Sequence, residues 1–380
     1  MLVVGGGPAG LTAAAALTRA RLSVTVVDRE REMGGIPGHT EHLGYGIRDV
    51  HRVLSGPKYT RLLVERAVGA GVDLRPDTTV LRIDAGRATC ATPSGPATIE
   101  ARAVVIATGV RERPRAARLV PGDRPAGVVT TGALQQFSAF HHQAVGRRAV
   151  VVGAEHVSFS AILTLCHTGC EVVAMITEHP RHQTYLPLRL LTATRHRVPI
   201  MTGASVTSIV GRRRVEAVEL SDGSTIECDT VVFTGDWIAD HELARRSGVA
   251  CFPFAGAATI DAAGRTTVEG VWAAGNLAHP AETADVCALG GRAVAGSVVD
   301  YLDRGGWPER VTPIDVDHPI TWASWSARGV TVRVGEFVTG RIELETAAGR
   351  ITSRRRRLIP NRSITIGVPR RVDVVAARVV

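Results

Sequence analysis

The sequence predicts an α/β fold of two three-layer (ββα) domains, the second inserted in the first, followed by a small C-terminal β-rich module. Two strand–helix–strand patterns, one at the start of the chain and one near its middle, predict two parallel sheets. Beyond Pro308, short β-branched runs separated by glycine turns predict the module. The predicted boundaries are 1–115 with 236–308 for the first domain, 116–235 for the second domain and 309–380 for the module.

The first pattern surrounds a glycine-rich turn. Apolar strands are predicted at 2–4 and 23–27, with an alanine-rich helix at 11–20 between them. The turn, Gly5-Gly6-Gly7-Pro8-Ala9-Gly10, contains Gly-x-Gly-x-x-Gly, and Asp28 ends the second strand. Such glycines permit a tight turn, the approach of a pyrophosphate to the helix N-terminus and close helix packing, while the acid accepts hydrogen bonds from a ribose. A Rossmann-like dinucleotide site is therefore predicted here.

The segment between the two patterns contains elements of several kinds. They are an irregular Gly- and His-rich stretch at 33–46, a helix at 59–70, a strand at 79–83, a meander to residue 100 and an apolar strand at 103–108. This last strand ends in Ala107-Thr108-Gly109, and an Arg- and Pro-rich crossover follows at 110–125. We expect the apolar strand to belong to the first domain.

The second pattern repeats the first with a changed turn. A strand at 149–152, a helix at 157–168 and a strand at 171–176 are predicted. The turn keeps only the first of the three glycines. Glu155 in this turn would place a negative charge at the position where the pyrophosphate of a dinucleotide would bind, which is unfavourable. Glu178 stands at the ribose-binding position or only decorates the surface. The possible NAD-like site, in degenerate form, comprises Gly153, Glu155, His156 and Glu178.

The remaining predicted elements complete the first domain and build the module. They are strands at 230–234 and 270–274, a helix at 283–302, and module strands at 330–334, 341–345 and 363–368. Gly275-Asn276 directly follows the second of these strands. This pair precedes the long helix and is a second candidate for a cofactor contact.

Composition restricts the chemistry of the chain. Of 380 residues 45% are hydrophobic, as in a folded protein, and the net charge is +9 with Lys58 as the only lysine. The arginine excess indicates codon bias or an anionic partner, and only Arg354–Arg357 form a cluster. Aromatic residues are scarce and no nucleic-acid-binding signature is present, so a nucleic-acid partner is not expected. The six cysteines form no Cys-x-x-Cys pair, which predicts free thiols and no metal site.

The sequence predicts a cytoplasmic location. No apolar run is long enough to cross a bilayer, and no secretory signal pattern begins the chain. Peripheral contact with a membrane remains open because of the arginines. The first strand begins at the first residues of the sequence, so we expect the natural start to lie slightly upstream.

Five elements in order resemble the two-dinucleotide-domain flavoproteins of the pyridine nucleotide–disulfide oxidoreductase superfamily. They are the first glycine motif, Asp28, the strand end at Ala107-Thr108-Gly109, the second strand–helix–strand pattern and Gly275-Asn276 before a helix. The resemblance covers about residues 1–305 and implies FAD in the first domain and an NAD(P)-like second domain. The cofactor-binding residues that it implies are Gly5, Gly7, Pro8, Ala9, Gly10, Asp28, Arg29, Gly35, Ile36, Val80, Ala107, Thr108, Gly109, Gly275, Asn276, Thr283 and Ala284.

Two parts of the sequence depart from the superfamily pattern, one at the flavin and one at the redox disulfide. Asn276 stands where the family has an aspartate that holds the flavin ribityl chain, and an amide can still bond a hydroxyl. The helix that follows would direct its N-terminus at the flavin pyrimidine ring, which stabilises the reduced anion. Ile36 and Pro37 stand where disulfide reductases carry thiols, so no redox-active disulfide is expected there.

The loop after the first domain's second strand is similar to one subgroup. Gly34-Gly35-Ile36-Pro37-Gly38-His39-Thr40 resembles the flavoprotein subunits of opine, hydroxyproline and cyanide-forming glycine dehydrogenases, and flavoproteins associated with glycerol-3-phosphate dehydrogenase. Gly38 stands where that group commonly has arginine. Large members carry a cysteine-rich iron–sulfur segment, so the resemblance implies a second flavoprotein subunit and a separate iron–sulfur carrier as partners.

The leading functional hypothesis is an FAD-dependent oxidoreductase that passes electrons from a donor to a partner carrier. His39 and His42 are the candidate catalytic residues, because a neutral imidazole can accept a substrate proton. Loop histidines that only bond backbone are the alternative. The donor is either NAD(P)H, bound by the second domain, or a small molecule such as an amine, amino acid or alcohol. A non-catalytic nucleotide-binding scaffold, with Arg354–Arg357 as its interaction surface, is the alternative from another class.

Overall fold

A computed structural model of the chain describes residues 1–253, 256–369 and 372–380. Within them the α-helices are α1 Pro8–Arg19, α2 Gly56–Gly69, α3 Thr131–His141, α4 His156–His167, α5 Leu186–Arg189, α6 Glu242–Arg246 and α7 Ala284–Arg304. Short 3₁₀ turns occupy Ile36–His39, Arg115–Arg118 and Gly275–Leu277, and a π turn Leu190–Thr194. No helix among these described residues is both long and apolar enough to cross a membrane.

The strands of the described residues, in chain order, are β1 Leu2–Val4, β2 Thr25–Val27, β3 Leu43–Tyr45, β4 Leu54–Ser55, β5 Asp73–Arg75, β6 Thr79–Asp84, β7 Arg87–Thr92, β8 Gly95–Glu100, β9 Val104–Ile106, β10 Val110–Glu112, β11 Val128–Thr130, β12 Arg148–Val152, β13 Glu171–Thr177, β14 Ile200–Thr202, β15 Val206–Val210, β16 Ala217–Leu220, β17 Thr225–Glu227, β18 Thr230–Phe233, β19 Trp237–Ala239, β20 Val271–Ala273, β21 Asp315–Val316, β22 Ile320–Ser326, β23 Gly329–Val334, β24 Val338–Gly340, β25 Ile342–Thr346, β26 Gly349–Thr352, β27 Arg356–Leu358, β28 Ile364–Ile366 and β29 Val374–Val379.

The chain folds into two compact units. Unit 1 comprises residues 1–38, 43–110 and 238–380, and unit 2 comprises 39–42 and 111–237. The C-terminal β-rich segment thus belongs to unit 1. Each unit contains a parallel Rossmann-like sheet, so the predicted α/β class is confirmed.

The central sheet of unit 1 has five parallel strands in the order β20-β9-β1-β2-β5. Because side chains alternate along a strand, Val3 faces the helical layer and packs in one cluster with Leu17 of α1. Its neighbours Leu2 and Val4 face the other side, in a cluster with Ile83 of the antiparallel sheet β6-β7-β8. These three layers are the predicted ββα arrangement.

Helices α1 and α7 approach each other backbone to backbone in unit 1. A Cβ on Gly291 of α7 would overlap the carbonyl oxygen of Ala9, whereas a Cβ on the adjacent Gly290 would meet no described atom within 4 Å. Gly291 is therefore the residue that permits the close approach. As a result, the first turn of α1 lies directly against α7.

Unit 2 repeats the layered arrangement with the parallel order β11-β18-β12-β13-β14. Val151 packs with Leu134 of α3 and Phe159 of α4. On the other face of the sheet, Val150 packs with Ile209 of the antiparallel sheet β15-β16-β17. Helix α3 is an element that the sequence pattern did not predict.

The C-terminal residues of unit 1 form a β module with its own apolar core. The predicted module strands correspond to β23, β25 and β28. Strand β23 pairs antiparallel with β22 and β28, and β25 pairs antiparallel with β26 and β29. Val332, Leu344 and Leu358 lie in one fully buried cluster of this module.

Candidate functional site

The glycine turn of unit 1 is held by contacts that only glycine permits at two positions. Gly5 has a φ of +108°, and a Cβ there would overlap the carbonyl oxygen of Ala107. A Cβ on Gly10 would overlap the carbonyl oxygen of Gly5. The turn therefore packs closely between the end of β9 and the start of α1. It lies at the carboxyl edge of the sheet, where open α/β sheets bind their ligands.

The N-terminus of α1 has the features of an anion site. Its N-cap is Gly7, Pro8 occupies the first turn, and no side chain among the described residues caps it. A Cβ on Gly7 would meet nothing described closer than the Cα of Gly35, at 4.0 Å. The first N–H groups of a helix have no intrahelical acceptor and carry a positive partial charge. This open, uncapped cradle fits the pyrophosphate of a dinucleotide.

Asp28 is positioned at the end of β2 beside this turn. Its Oδ2 accepts a hydrogen bond from the Gly6 N–H at 2.5 Å, and its Oδ1 accepts one from the Glu30 N–H at 2.9 Å. An ionised carboxylate has about four acceptor positions, so each oxygen retains capacity for a ribose hydroxyl. The neighbouring Arg29 is mostly exposed and pairs with Asp240 at 3.1 Å.

The other predicted cofactor residues of the first half lie around the same sheet edge. Thr108 donates its hydroxyl to the Asp240 carbonyl at 2.7 Å, and Gly109 has a φ of +82°. Val80 is buried in β6. Ile36 begins the 3₁₀ turn after Gly35 and is 43% exposed, so this large apolar side chain is available to a ligand.

Asn276 fastens the loop that leads into α7. Its Oδ1 accepts from the Glu282 N–H at 2.8 Å, and its Nδ2 donates to the Glu282 carbonyl at 3.2 Å. An aspartate could not make the second bond, because an ionised carboxylate has no donor. The preceding residue, Gly275, has a φ of +65° and lies against Ala9 of α1. A Cβ on Gly275 would lie only 2.7 Å from the Ala9 Cβ. The sequence did not predict this role of the amide.

At the N-terminus of α7 the N-cap residue itself makes no side-chain capping bond within the described residues. Thr283 is the N-cap, but its hydroxyl donates to the Asp285 carboxylate. The backbone N–H of Arg48 donates to the other Asp285 oxygen at 3.1 Å. The Tyr59 hydroxyl oxygen lies 3.4 Å from the Ala284 carbonyl oxygen. The Val286 N–H of the first turn donates to Asp285 Oδ1 at 2.9 Å, so among the described residues only the N–H groups of Ala284 and Asp285 remain for a second polar group of a ligand.

Tyr59 and Asp49 form a buried pair that sequence reasoning missed. The Tyr59 hydroxyl donates to Asp49 Oδ2 at 2.8 Å, and burial raises the pKa of the tyrosine, which stays a neutral donor. Asp49 Oδ1 is a buried oxygen without a hydrogen-bond partner among the described residues. Buried acceptors normally have a donor, so this oxygen is a desolvated atom of the pair that no described donor satisfies.

His39 and His42 have their described contacts in unit 2. The His39 ring meets Phe140 of α3 edge-on at 5.5 Å between centroids, and His42 Nε2 lies 2.6 Å from the Ser160 hydroxyl of α4. Burial lowers the pKa of His39 to about 4, so its imidazole is neutral at physiological pH. Their assignment as catalytic groups stays a prediction.

The buried His39 predicts an acid-sensitive stability. Its pKa is about 4 in the folded protein against 6.5 when unfolded, so the unfolded state binds more protons between these values and stability falls as the pH falls. Between pH 7 and pH 5 the expected loss is about 2 kcal/mol. Urea unfolding at both pH values measures it.

The matched variants for this prediction are His39→Gln and His196→Gln. The first removes the buried imidazole and should abolish most of the pH difference, whereas exposed His196 should leave it unchanged. An identical pH difference in native protein and His39→Gln would refute the prediction.

The equivalent helix in unit 2 is capped by the protein itself. Glu155 is the N-cap of α4, and its carboxylate accepts from the Ser158 N–H while the Ser158 hydroxyl accepts from the Glu155 N–H at 3.1 Å. A Cβ on Gly235 would overlap the same carboxylate. The anion position of this helix is thus filled by a side chain of the chain itself.

The remaining residues of the possible NAD-like site surround that capped helix. Gly153 has a φ of +128°, and a Cβ there would overlap the Thr234 hydroxyl. The His156 ring packs edge-on against Tyr185 at 4.7 Å between centroids. Glu178 is exposed after β13. Both its backbone conformation and the Thr234 hydroxyl therefore require glycine at position 153, while the rest of the turn differs from that of unit 1.

Comparisons with known proteins assign the chain to a family. The profile of the family described as pyridine nucleotide-disulphide oxidoreductase matches residues 1–291. The chain belongs to this family. Members of the pyridine nucleotide-disulphide oxidoreductases bind FAD and often NAD(P)H, and the chain is accordingly an FAD-dependent oxidoreductase. The cradle at Gly7 fits that cofactor.

Individual relatives within the pyridine nucleotide-disulphide oxidoreductases are distant. Thioredoxin reductase of Mycolicibacterium smegmatis is 27% identical over 288 residues, which cover 73% of this chain and 88% of the relative. A protein of Cereibacter sphaeroides named as the small chain of an NADPH glutamate synthase is 27% identical over 345 residues, covering 79% and 76%. The crystal structure of T. acidophilum thioredoxin reductase superposes with a TM-score of 0.66 at 22% identity, covering 80% and 97%. The last likeness shows the shared fold.

Proposed function

We propose that the chain is the FAD-carrying flavoprotein subunit of a dehydrogenase. In this proposal a small-molecule donor, such as an amine, amino acid or alcohol, supplies electrons to the flavin, and a partner redox carrier accepts them. The flavin supplies the hydride-accepting chemistry when bound. The protein holds it through the α1 N-terminus, Asp28 and the loop fastened by Asn276.

The contrast between the two helix N-termini carries the proposal. Helix α1 begins with glycines and has no described capping side chain, whereas α4 begins with Glu155, whose carboxylate occupies its own helix start. A pyrophosphate approaching α4 would have to displace this cap and would meet a like charge. NAD(P)H is therefore a poor electron donor for this chain, which favours a donor that binds elsewhere.

Three further observations support a subunit of a complex. All six cysteines are free thiols, and the sequence has no Cys-x-x-Cys pair, so the electrons need an acceptor other than a disulfide of this chain. The loop around Gly35, Ile36 and Pro37 resembles the flavoprotein subunits of opine and hydroxyproline dehydrogenases. One relative is itself named as the small chain of a larger enzyme. A second flavoprotein subunit and an iron–sulfur carrier are the partners that we propose.

Anaerobic stopped-flow mixing of the FAD-loaded protein with NADH, and separately with NADPH, tests the donor. We expect no rapid bleaching of the flavin absorbance band, and we expect Glu155→Gly to bind NADH more tightly than the native chain because it loses the cap. Rapid bleaching of the native flavin by NADH would contradict the proposal.

Turnover of an artificial dye with candidate donors, alone and with partner subunits, tests the dehydrogenase itself. A bound flavin that no donor ever reduces would favour the non-catalytic scaffold, whose surface would be the exposed arginines at 354–357. Purified protein that neither contains nor takes up flavin would refute both functions.

A further inference from the structure

We propose that Arg333 of the C-terminal β module is a positioning residue of the flavin site, because it holds Glu282 and through it the start of α7. This inference rests on the proposed binding of FAD to unit 1. It gives the module a role at the cofactor that the family match, which ends at residue 291, does not include.

A buried ion pair joins the module to the loop before α7. An Arg333 guanidinium nitrogen lies 2.8 Å from Glu282 Oε1, with the two side chains only 8% and 14% exposed. Ser363 of the module donates its hydroxyl to the same carboxylate oxygen and accepts from Arg333 Nε at 3.0 Å. The carboxylate is therefore held by a charged and a neutral donor at once, both from the module.

Aromatic contacts fix the arginine and a second point of the loop. The Arg333 guanidinium carbon lies 5.2 Å from the centroid of the Trp322 ring, a cation–π distance. The same tryptophan meets the ring of His279 edge-on at 5.8 Å between centroids. His279 Nε2 also hydrogen-bonds the carbonyl oxygen of Trp325. The module thus contacts both ends of the segment from His279 to Glu282.

The segment from His279 to Glu282 is bonded to, and followed by, predicted cofactor residues. The backbone of Glu282 is held on both its N–H and its carbonyl by the Asn276 side chain. The next residue, Thr283, is the N-cap of α7. Displacement of Glu282 therefore moves a predicted flavin ligand on one side and the helix N-terminus on the other.

The energetics of a buried pair make the effect measurable. Removal of one partner leaves the other charge buried and uncompensated, which is strongly unfavourable. The Glu282 carboxylate would then turn towards solvent and draw its backbone away from Asn276. Arg378 offers a matched control, since its described ion pair is with Glu345 of the same module, at half-exposed positions.

The experiment compares FAD-loaded native protein with Arg333→Met, Arg333→Lys and Arg378→Met. FAD dissociation is followed by the flavin fluorescence that appears on release, and the flavin midpoint potential is measured by dye-coupled reduction. We expect Arg333→Met to raise the FAD dissociation constant at least about 10-fold, since a buried charge loses its partner, and to shift the potential to more negative values. Arg333→Lys should recover part of both effects, and Arg378→Met should change neither.

A second variant covers the case in which Arg333→Met does not fold. Glu282→Gln keeps the side-chain shape, so it should fold, but it removes the charge that Arg333 pairs with, so the loop is held less firmly against Asn276 and FAD binding should weaken. Unchanged FAD affinity and potential in folded Arg333→Met, or in Glu282→Gln when Arg333→Met is unfolded, would overturn the inference. Native protein that takes up no FAD would instead refute the proposed function.

Discussion

Gly7→Ala is expected to give a folded protein that binds FAD about 10- to 100-fold more weakly, by the usual cost of overpacking. The fold tolerates the change, because the added Cβ meets nothing described closer than 4.0 Å and the backbone at this N-cap is extended. Alanine at an N-cap costs only about 1 kcal/mol or less relative to glycine. The cofactor does not tolerate it, because the pyrophosphate must approach the backbone at this glycine.

FAD titration and thermal unfolding of the apoprotein measure the two sides of this prediction. Gly132→Ala is the matched control, since Gly132 lies in the first turn of α3 and its added Cβ would lie 3.8 Å from Glu112. It should leave FAD affinity unchanged and should not lower the unfolding temperature, because alanine favours the helix. Native-like FAD affinity in Gly7→Ala would remove the α1 N-terminus from the cofactor site.

Gly291→Ala should destabilise unit 1 by about 3 kcal/mol, because the new methyl group overlaps the Ala9 carbonyl and α1 must move away from α7. The adjacent Gly290→Ala should be neutral or stabilise the protein by up to about 1 kcal/mol, because its Cβ points into open space and alanine favours the helix. FAD retention should fall with the first change only, since Ala9 lies in the first turn of α1.

Urea unfolding of the two apoproteins, with circular dichroism as the signal, compares the adjacent glycines. The two variants share the same chemical change in the same helix, so intrinsic propensity cancels between them. Equal stabilities would mean that the close approach of α1 and α7 is not required by the fold.

Local patterns explain what could be predicted from the sequence. The turn at Gly5, Gly7 and Gly10, the acid Asp28 and the strand end at Thr108 are each defined by neighbours in the chain and by the apolar strands around them. The predicted strands and helices of both parallel sheets are found within a few residues of their predicted bounds. Helix α3 was missed because its short amphipathic segment follows a crossover rich in Pro and Arg.

Long-range contacts explain what could not be predicted. The ion pair of Glu282 and Arg333 joins residues 51 positions apart, and the contact of His42 with Ser160 spans 118 positions. No periodicity in one segment reports such a partner. The amide of Asn276 was identified as a departure from the family pattern, but its bonds to the backbone of Glu282 depend on a loop geometry that single residues do not reveal.

The capped start of α4 turns Glu155 into an internal competitor. A carboxylate attached at the helix start meets the N–H groups at an effective concentration of about millimolar or more, as tethered ligands do. A dinucleotide free in solution competes against that concentration and also against its own entropy of association. A change of electron donor would therefore not require loss of the second Rossmann-like sheet. One acid attached at the N-terminus of α4 is enough to fill the anion position there.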